Sequence, residues 1–189
     1  MTVGVLALQG SVSEHAKLIR SVNKKIDVVE VRTIDELATV DGLIIPGGES
    51  TTLRILVDNA NLYTPIKARV EAGMPVWGTC AGLILLANNI EGERPYFGLL
   101  DATVKRNAYG RQIDSFVTEG DFADMYINMV FIRAPKITKV GEDVDVLSEL
   151  DGAPVAVRQG NVLATAFHPE MTKDNRVHRY FCNMIENKV

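Results

Sequence analysis

Three short stretches carry side chains able to do chemistry together. In Val76-Trp77-Gly78-Thr79-Cys80-Ala81-Gly82-Leu83, Cys80 lies where an apolar run gives way to a helix-forming one, with glycines two residues away on either side. This G-x-nucleophile-x-G spacing suits a tight strand-to-helix turn with no room for a Cβ at its glycines, which lifts the thiol out of a sheet. Beside a helix start, unpaired N–H groups and the positive end of the dipole favour thiolate. A small buried cysteine looks the same in isolation, so its partners must decide. His168-Pro169-Glu170 follows an apolar run over 162–167. Pro169 disfavours helical geometry at His168, and residues two apart in an extended chain share a side. Glu170 can then orient His168 while His168 takes the proton of Cys80, as a thiol nucleophile requires. Pro46-Gly47-Gly48-Glu49-Ser50 ends a third apolar run. Its bare glycine backbone can aim an N–H at an oxyanion, with the N–H of Ala81 as a second donor. A phosphate-binding loop is the competing reading, but the stretch lacks both the P-loop ending and the dinucleotide fingerprint.

The other candidates are weaker. His15, in the first turn of an expected helix, and His178, on the closing helix, read as surface or packing residues, although His15 could face a partner. Cys182 reads as a packing residue, since nothing near it in sequence would activate a thiolate. No set of Cys, His and carboxylate residues has metal-ligand spacing, and no cofactor is expected.

These residues need elements to hold them. Apolar runs at 3–8, 27–31, 42–45 and just before Cys80 predict strands buried in a parallel sheet. Helical patterns separate them at 11–22, 33–38, 51–57 and 65–72, and Ser11-Val12-Ser13-Glu14 and Thr33-Ile34-Asp35-Glu36 both have capping-box spacing. Strands alternating with helices indicate a doubly wound α/β sheet. Beyond Asn88 the pattern turns antiparallel or mixed. Strands are expected at 102–106, pairing with 113–117 across a polar turn, then at 126–133, 144–147, 155–159 and 162–167, before a helix over 174–187.

Length and composition set the outer bounds. The 189 residues predict one domain over 1–189, large enough for a core without staples. A net charge of −4 and no basic stripe argue against nucleic-acid binding. Two cysteines exclude a disulfide scaffold and suit a reducing cytosol. No apolar run approaches a membrane span, and the first residues enter a strand-like run without a basic leader, so a cytoplasmic protein is expected.

The elbow at Gly78-Thr79-Cys80-Ala81-Gly82, the late His168-Pro169-Glu170 and the early Gly47-Gly48 resemble the triad (class I) glutamine amidotransferases. Further stretches narrow the resemblance to the glutaminase subunits of the ribose 5-phosphate-dependent pyridoxal 5′-phosphate synthase. They are Leu6-Ala7-Leu8-Gln9-Gly10, Ile45-Pro46-Gly47-Gly48-Glu49-Ser50-Thr51-Thr52, Arg106-Asn107-Ala108-Tyr109-Gly110-Arg111-Gln112 and Phe131-Ile132-Arg133-Ala134-Pro135. Ser11 and Met171 depart from the usual pattern without, on this reading, touching the chemistry.

The resemblance implies a three-layer, doubly wound mixed sheet of flavodoxin-like type that hydrolyses L-glutamine to L-glutamate and ammonia. The ammonia would pass to a barrel-shaped synthase subunit. Cys80 would be the nucleophile, His168 the base and acid, and Glu170 the orienter. Gly48 and Ala81 would form the oxyanion hole. Gly47, Gly48, Glu49, Arg106, Ile132 and Arg133 would bind glutamine. Two alternatives stay open. One is a glutaminase feeding an imidazole- or purine-type synthase, which the Arg106 to Gln112 stretch disfavours. The other is a non-enzymatic oxidant sensor or chaperone, which would have no need of His168-Pro169-Glu170.

Overall fold

The computed structural model describes residues 1–106 and 115–187. The first half alternates as expected: β1 (Thr2–Leu6), α1 (Val12–Val22), β2 (Asp27–Val31), α2 (Ile34–Ala38), β3 (Gly42–Ile45), α3 (Ser50–Asn59), α4 (Tyr63–Glu71), β4 (Val76–Thr79) and α5 (Ala81–Leu86). Strands follow: β5 (Ala87–Ile90), β6 (Leu100–Lys105), β7 (Ser115–Phe122), β8 (Met125–Ile132), β9 (Lys136–Val140), β10 (Asp145–Leu150), β11 (Ala153–Gln159) and β12 (Val162–Thr165). A 3-10 turn (Pro169–Met171) and α6 (Arg176–Ile185) close the chain.

Among the described residues the main sheet runs β10-β11-β12-β4-β3-β1-β2. Its five strands from β12 to β2 are parallel, and β10 and β11 extend it antiparallel. Read from the other edge, β2-β1-β3-β4-β12 is the flavodoxin-like order, with its switch point between β1 and β3. The inner parallel strands β1, β3, β4 and β12 are almost wholly buried because helices cover both faces, whereas the edge strand β2 carries the exposed Asp27 and Glu30. Side-chain alternation shows this at β4. Trp77 packs on His15 of α1 and on His178 and Phe181 of α6, while a Cβ at the next residue, Gly78, would lie 2.4 Å from the backbone of Gly82 in α5. Helices α1 and α6 therefore cover one face and α5 the other. No helix among the described residues is long and apolar enough to cross a membrane.

Several expectations need correction. The strand beginning near 113 does not pair with β6. It continues to Phe122 and pairs with β8, while β6 pairs with β5 and β9. The two-residue link Ala123-Asp124 has φ of +44° and +64°, the twist-matched hairpin geometry that normally selects Asn-Gly. The expected polar turn at 107–112 and the strand start at 113 and 114 lie outside the described residues. Strands β5 and β9 were not anticipated, and the helix after the elbow is only six residues long. Of the two expected capping boxes, the one at Thr33 is present with both reciprocal bonds, whereas the Ser11 side chain makes no cap bond.

Candidate active site

Parallel pairing brings Cys80 and His168 together. Strands β4 and β12 run in register with Thr79 opposite Thr165, and the Cys80 N–H donates to the Thr165 carbonyl at 2.8 Å. Both chain segments thus leave the sheet at one edge, where β3 also ends and where α/β sheets bind ligands. Cys80 has φ +47° and ψ −97°, a conformation costing on the order of 1–3 kcal/mol for a non-glycine residue. The surrounding packing enforces it. A Cβ at Gly82 would come within 2.2 Å of the Ile45 carbonyl, so α5 can begin this close to β3 only on a glycine.

The Cys80 sulfur lies 3.9 Å from the Ile132 carbonyl at the end of β8. A backbone hydrogen bond from the His168 N–H to the Val130 carbonyl, 2.7 Å, ties His168 to the same strand. His168 Nδ1 donates to Glu170 Oε1 at 2.7 Å, which leaves Nε2 buried and without a hydrogen-bond partner among the described residues. With Nδ1–H committed to a carboxylate, Nε2 is the nitrogen left able to take or give a proton. Burial opposes charge on His168, but interactions with Cys80 and Glu170 outweigh it and raise its pKa to about 10. Burial likewise opposes the Glu170 carboxylate. The charge on His168 and the bonds from His168 and Ser11 prevail and hold it down at about 2.

A cavity of about 340 Å³ opens over Cys80 and His168. Gly47, Gly48, Glu49, Ala81, Arg106, Ile132 and Arg133 line it, so every residue singled out for substrate binding or the oxyanion hole reaches one space. Glu170 stands behind His168, 4% exposed. Gly47 must be glycine, since its Cβ would lie 2.4 Å from the His168 ring. Its carbonyl accepts from the Ser11 N–H at 3.4 Å, and Gln9 Oε1 accepts from the Glu49 N–H at 3.2 Å, which puts Gln9 on the same sheet edge. Glu49 caps α3, accepting from the N–H groups of Thr51 and Thr52, and these bonds depress its pKa to about 2. Arg106 reaches Glu49 at 3.1 Å and Glu93 at 2.7 Å, so cation and anion stand side by side in the cavity wall. Arg133 adopts φ +44° at its rim.

Sequence reasoning placed Ser11 and Met171 outside the chemistry, and the structure corrects this. Ser11 Oγ donates to Glu170 Oε1 at 2.6 Å, which is why it forms no capping box, and Met171 lines the cavity. Of the surface-or-packing alternatives for His15 and His178, the structure has both fully buried. Cys182 is buried in packing, and burial pushes its thiol up to about 12.

Residues 5–187 match the SNO glutamine amidotransferase family. The chain belongs to that family. Its relatives include the pyridoxal 5′-phosphate synthase subunit PdxT of Mycobacteroides abscessus, 52% identical over 97% of this chain and 96% of that protein. The PdxT subunit of Shouchella clausii is 49% identical over 100% of this chain and 97% of its own length. A solved glutamine amidotransferase superposes with a TM-score of 0.92 at 45% identity, covering 97% of this chain and 98% of that one. PurLQS from Thermotoga maritima shares the fold alone, with a TM-score of 0.70 at 16% identity over 96% and 97% of the two chains. As a member of this glutamine amidotransferase family, the chain is an enzyme, and the cavity over Cys80 is its candidate active site.

Proposed function

We propose that this chain, a single glutaminase domain over 1–189, hydrolyses L-glutamine to L-glutamate and ammonia. It would supply the ammonia to a barrel-shaped synthase subunit making pyridoxal 5′-phosphate in the cytoplasm. The observation that carries the reading is a strained Cys80 facing the free nitrogen of a His168–Glu170 pair at one glutamine-sized cavity. A His168 pKa of about 10 puts a proton on the imidazole at neutral pH, and the proposed attacking species is the Cys80 thiolate beside it. The thiolate attacks the carboxamide carbon. The resulting oxyanion takes N–H donors from Ala81 and Gly48. Collapse breaks the C–N bond as His168 gives its proton to the departing ammonia, leaving a γ-glutamyl thioester. Acylation also removes the thiolate charge, one of the causes raising the His168 pKa, so the imidazole is now a neutral base. It takes a proton from water, whose oxygen attacks the thioester and releases glutamate.

Glutamine is a zwitterion, and the adjacent Arg106 and Glu49 offer opposite charges to its two ends, with Gly47, Ile132 and Arg133 completing the wall. Ammonia reaching bulk water at neutral pH becomes ammonium, which is not a nucleophile, so a docked acceptor and a dry path make chemical sense. The test is ammonia release from glutamine by the chain assembled with a synthase subunit. Cys80→Ala and His168→Asn should each abolish it while the fold survives, and the double variant should be no worse than either. A Cys80→Ala variant retaining a tenth of the activity would remove the thiol from the mechanism.

A further inference from the structure

Behind Glu170 lies a second pair of buried titratable side chains that the proposed triad does not use. His15 of α1 and His178 of α6 are 0% exposed, and their rings meet through Nδ1 of His15 and Nε2 of His178 at 3.0 Å. Nε2 of His15 sits 3.3 Å from Thr79 Oγ1 and 3.5 Å from Glu170 Oε2. That carboxylate oxygen has no hydrogen bond of its own among the described residues, because both short bonds, from His168 and Ser11, go to Oε1. Trp77 stands edge-on to both imidazoles, at 5.3 and 4.9 Å between ring centroids, which restrains their planes.

Only one proton can lie between the two rings, and the surroundings choose whose it is. If His15 donated from Nδ1, its Nε2 lone pair would face the buried Glu170 carboxylate, and the Nδ1–H of His178 would be buried without an acceptor. If His178 donates from Nε2, then His15 carries its proton on Nε2, directed toward the carboxylate and Thr79. The group left unpaired is then a lone pair on His178, not an N–H. Burial keeps both rings neutral, since it lowers the pKa of each. Coulomb attraction in a dry site therefore selects the second arrangement.

We propose that His15 is a positioning residue for Glu170: its Nε2–H, fixed by the bond from His178, holds the carboxylate in the orientation that serves His168. The inference rests on the triad reading above. It extends the chain of orientation from Cys80 and His168 through Glu170 to two further helices.

Glutamine and asparagine at position 15 separate positioning from packing. A Gln amide nitrogen reaches the place of Nε2, whereas an Asn amide reaches only that of Nδ1, and both replace the ring by a polar chain. In the complex with the synthase subunit, His15→Asn should lower kcat by about tenfold with KM little changed, and His15→Gln should recover most of it. Equal loss in the two variants, or none in either, overturns the proposal. Ring ¹⁵N spectra of the unsubstituted chain test it without any variant: His15 and His178 should both carry their proton on Nε2, and an Nδ1–H signal from either refutes it. Cys80→Ala and His168→Asn serve as controls. If they stay active the triad itself has failed and the proposal falls with it, whereas equal His15 variants beside inactive controls defeat the positioning role alone.

Discussion

Replacing Glu170 by Gln should lower the pKa of His168 and slow turnover without dismantling the site. The carboxylate is 2.7 Å from Nδ1 and buried, so the substitution removes a full opposing charge from a poorly screened contact. The amide oxygen can still accept from His168 and from Ser11, while its NH₂ turns toward His15 and requires the proton between His15 and His178 to shift, so that an Nε2 lone pair of His15 accepts from it. What is lost is therefore charge more than geometry. An adjacent opposite charge is worth about 1–3 pKa units, which brings His168 down from about 10 to between roughly 7 and 9. Each unit corresponds to about 1.4 kcal/mol of imidazolium stability, so kcat should fall by about 10- to 1,000-fold, less than on removing Cys80. Ring NMR of His168 across pH 5 to 11 measures the shift directly, and glutamine hydrolysis measures its consequence. A His168 that titrates within about half a unit of its original value would show that the carboxylate does not hold its proton, and the argument would collapse.

Arg106→Ala should raise the KM for glutamine by about 10- to 100-fold with a smaller change in kcat, as expected for a lost charge-assisted bond to a carboxylate. An unchanged KM in steady-state kinetics would move that role to Arg133. Gly82→Ala drives a Cβ to within 2.2 Å of the Ile45 carbonyl and should cost about 1–3 kcal/mol, lowering the midpoint of a thermal melt by several degrees. An unaltered melt would mean that α5 can shift from β3 freely. Among the described residues the Gly47-Gly48 peptide is held by one long bond, 3.4 Å from the Ser11 N–H, so docking of a synthase subunit can reorient it and complete the oxyanion hole. One such donor is worth about 2.7–4 kcal/mol, so kcat should rise about 100- to 1,000-fold with saturating synthase subunit, and equal rates with and without it would refute the switch.

What could be read in the sequence were features whose cause is local. The glycines around Cys80 announced a turn with no space for side chains, and the Thr33 box formed because no other group among the described residues claims its hydroxyl. Ser11 has the same spacing but was misread, because Glu170, 159 residues away, claims its hydroxyl. Likewise Ala123-Asp124 gave no hairpin signal, since strand pairing imposes a positive φ on residues that do not advertise it. The run 87–90 carries no strand signal of its own, because its pattern does not reveal that β6 is waiting to pair with it. The two buried histidines were invisible for the same reason: one helix alone does not say which side chain from another will meet it.

The place of β12 also dictates when this enzyme can exist. It is nearly the last element made, yet it inserts between β11 and β4, in the interior of the main sheet. Until Val162–Thr165 arrives, β4 keeps a bare edge on that side, and the Cys80 N–H lacks the Thr165 carbonyl that helps fix its turn. Pairings this distant along the chain form slowly and expose unpaired edges in the meantime. The same delay is protective. A chain emerging during synthesis carries its cysteine for some 90 residues before His168, so on the proposed mechanism the thiol gains its activating partner only once the sheet around it is closed.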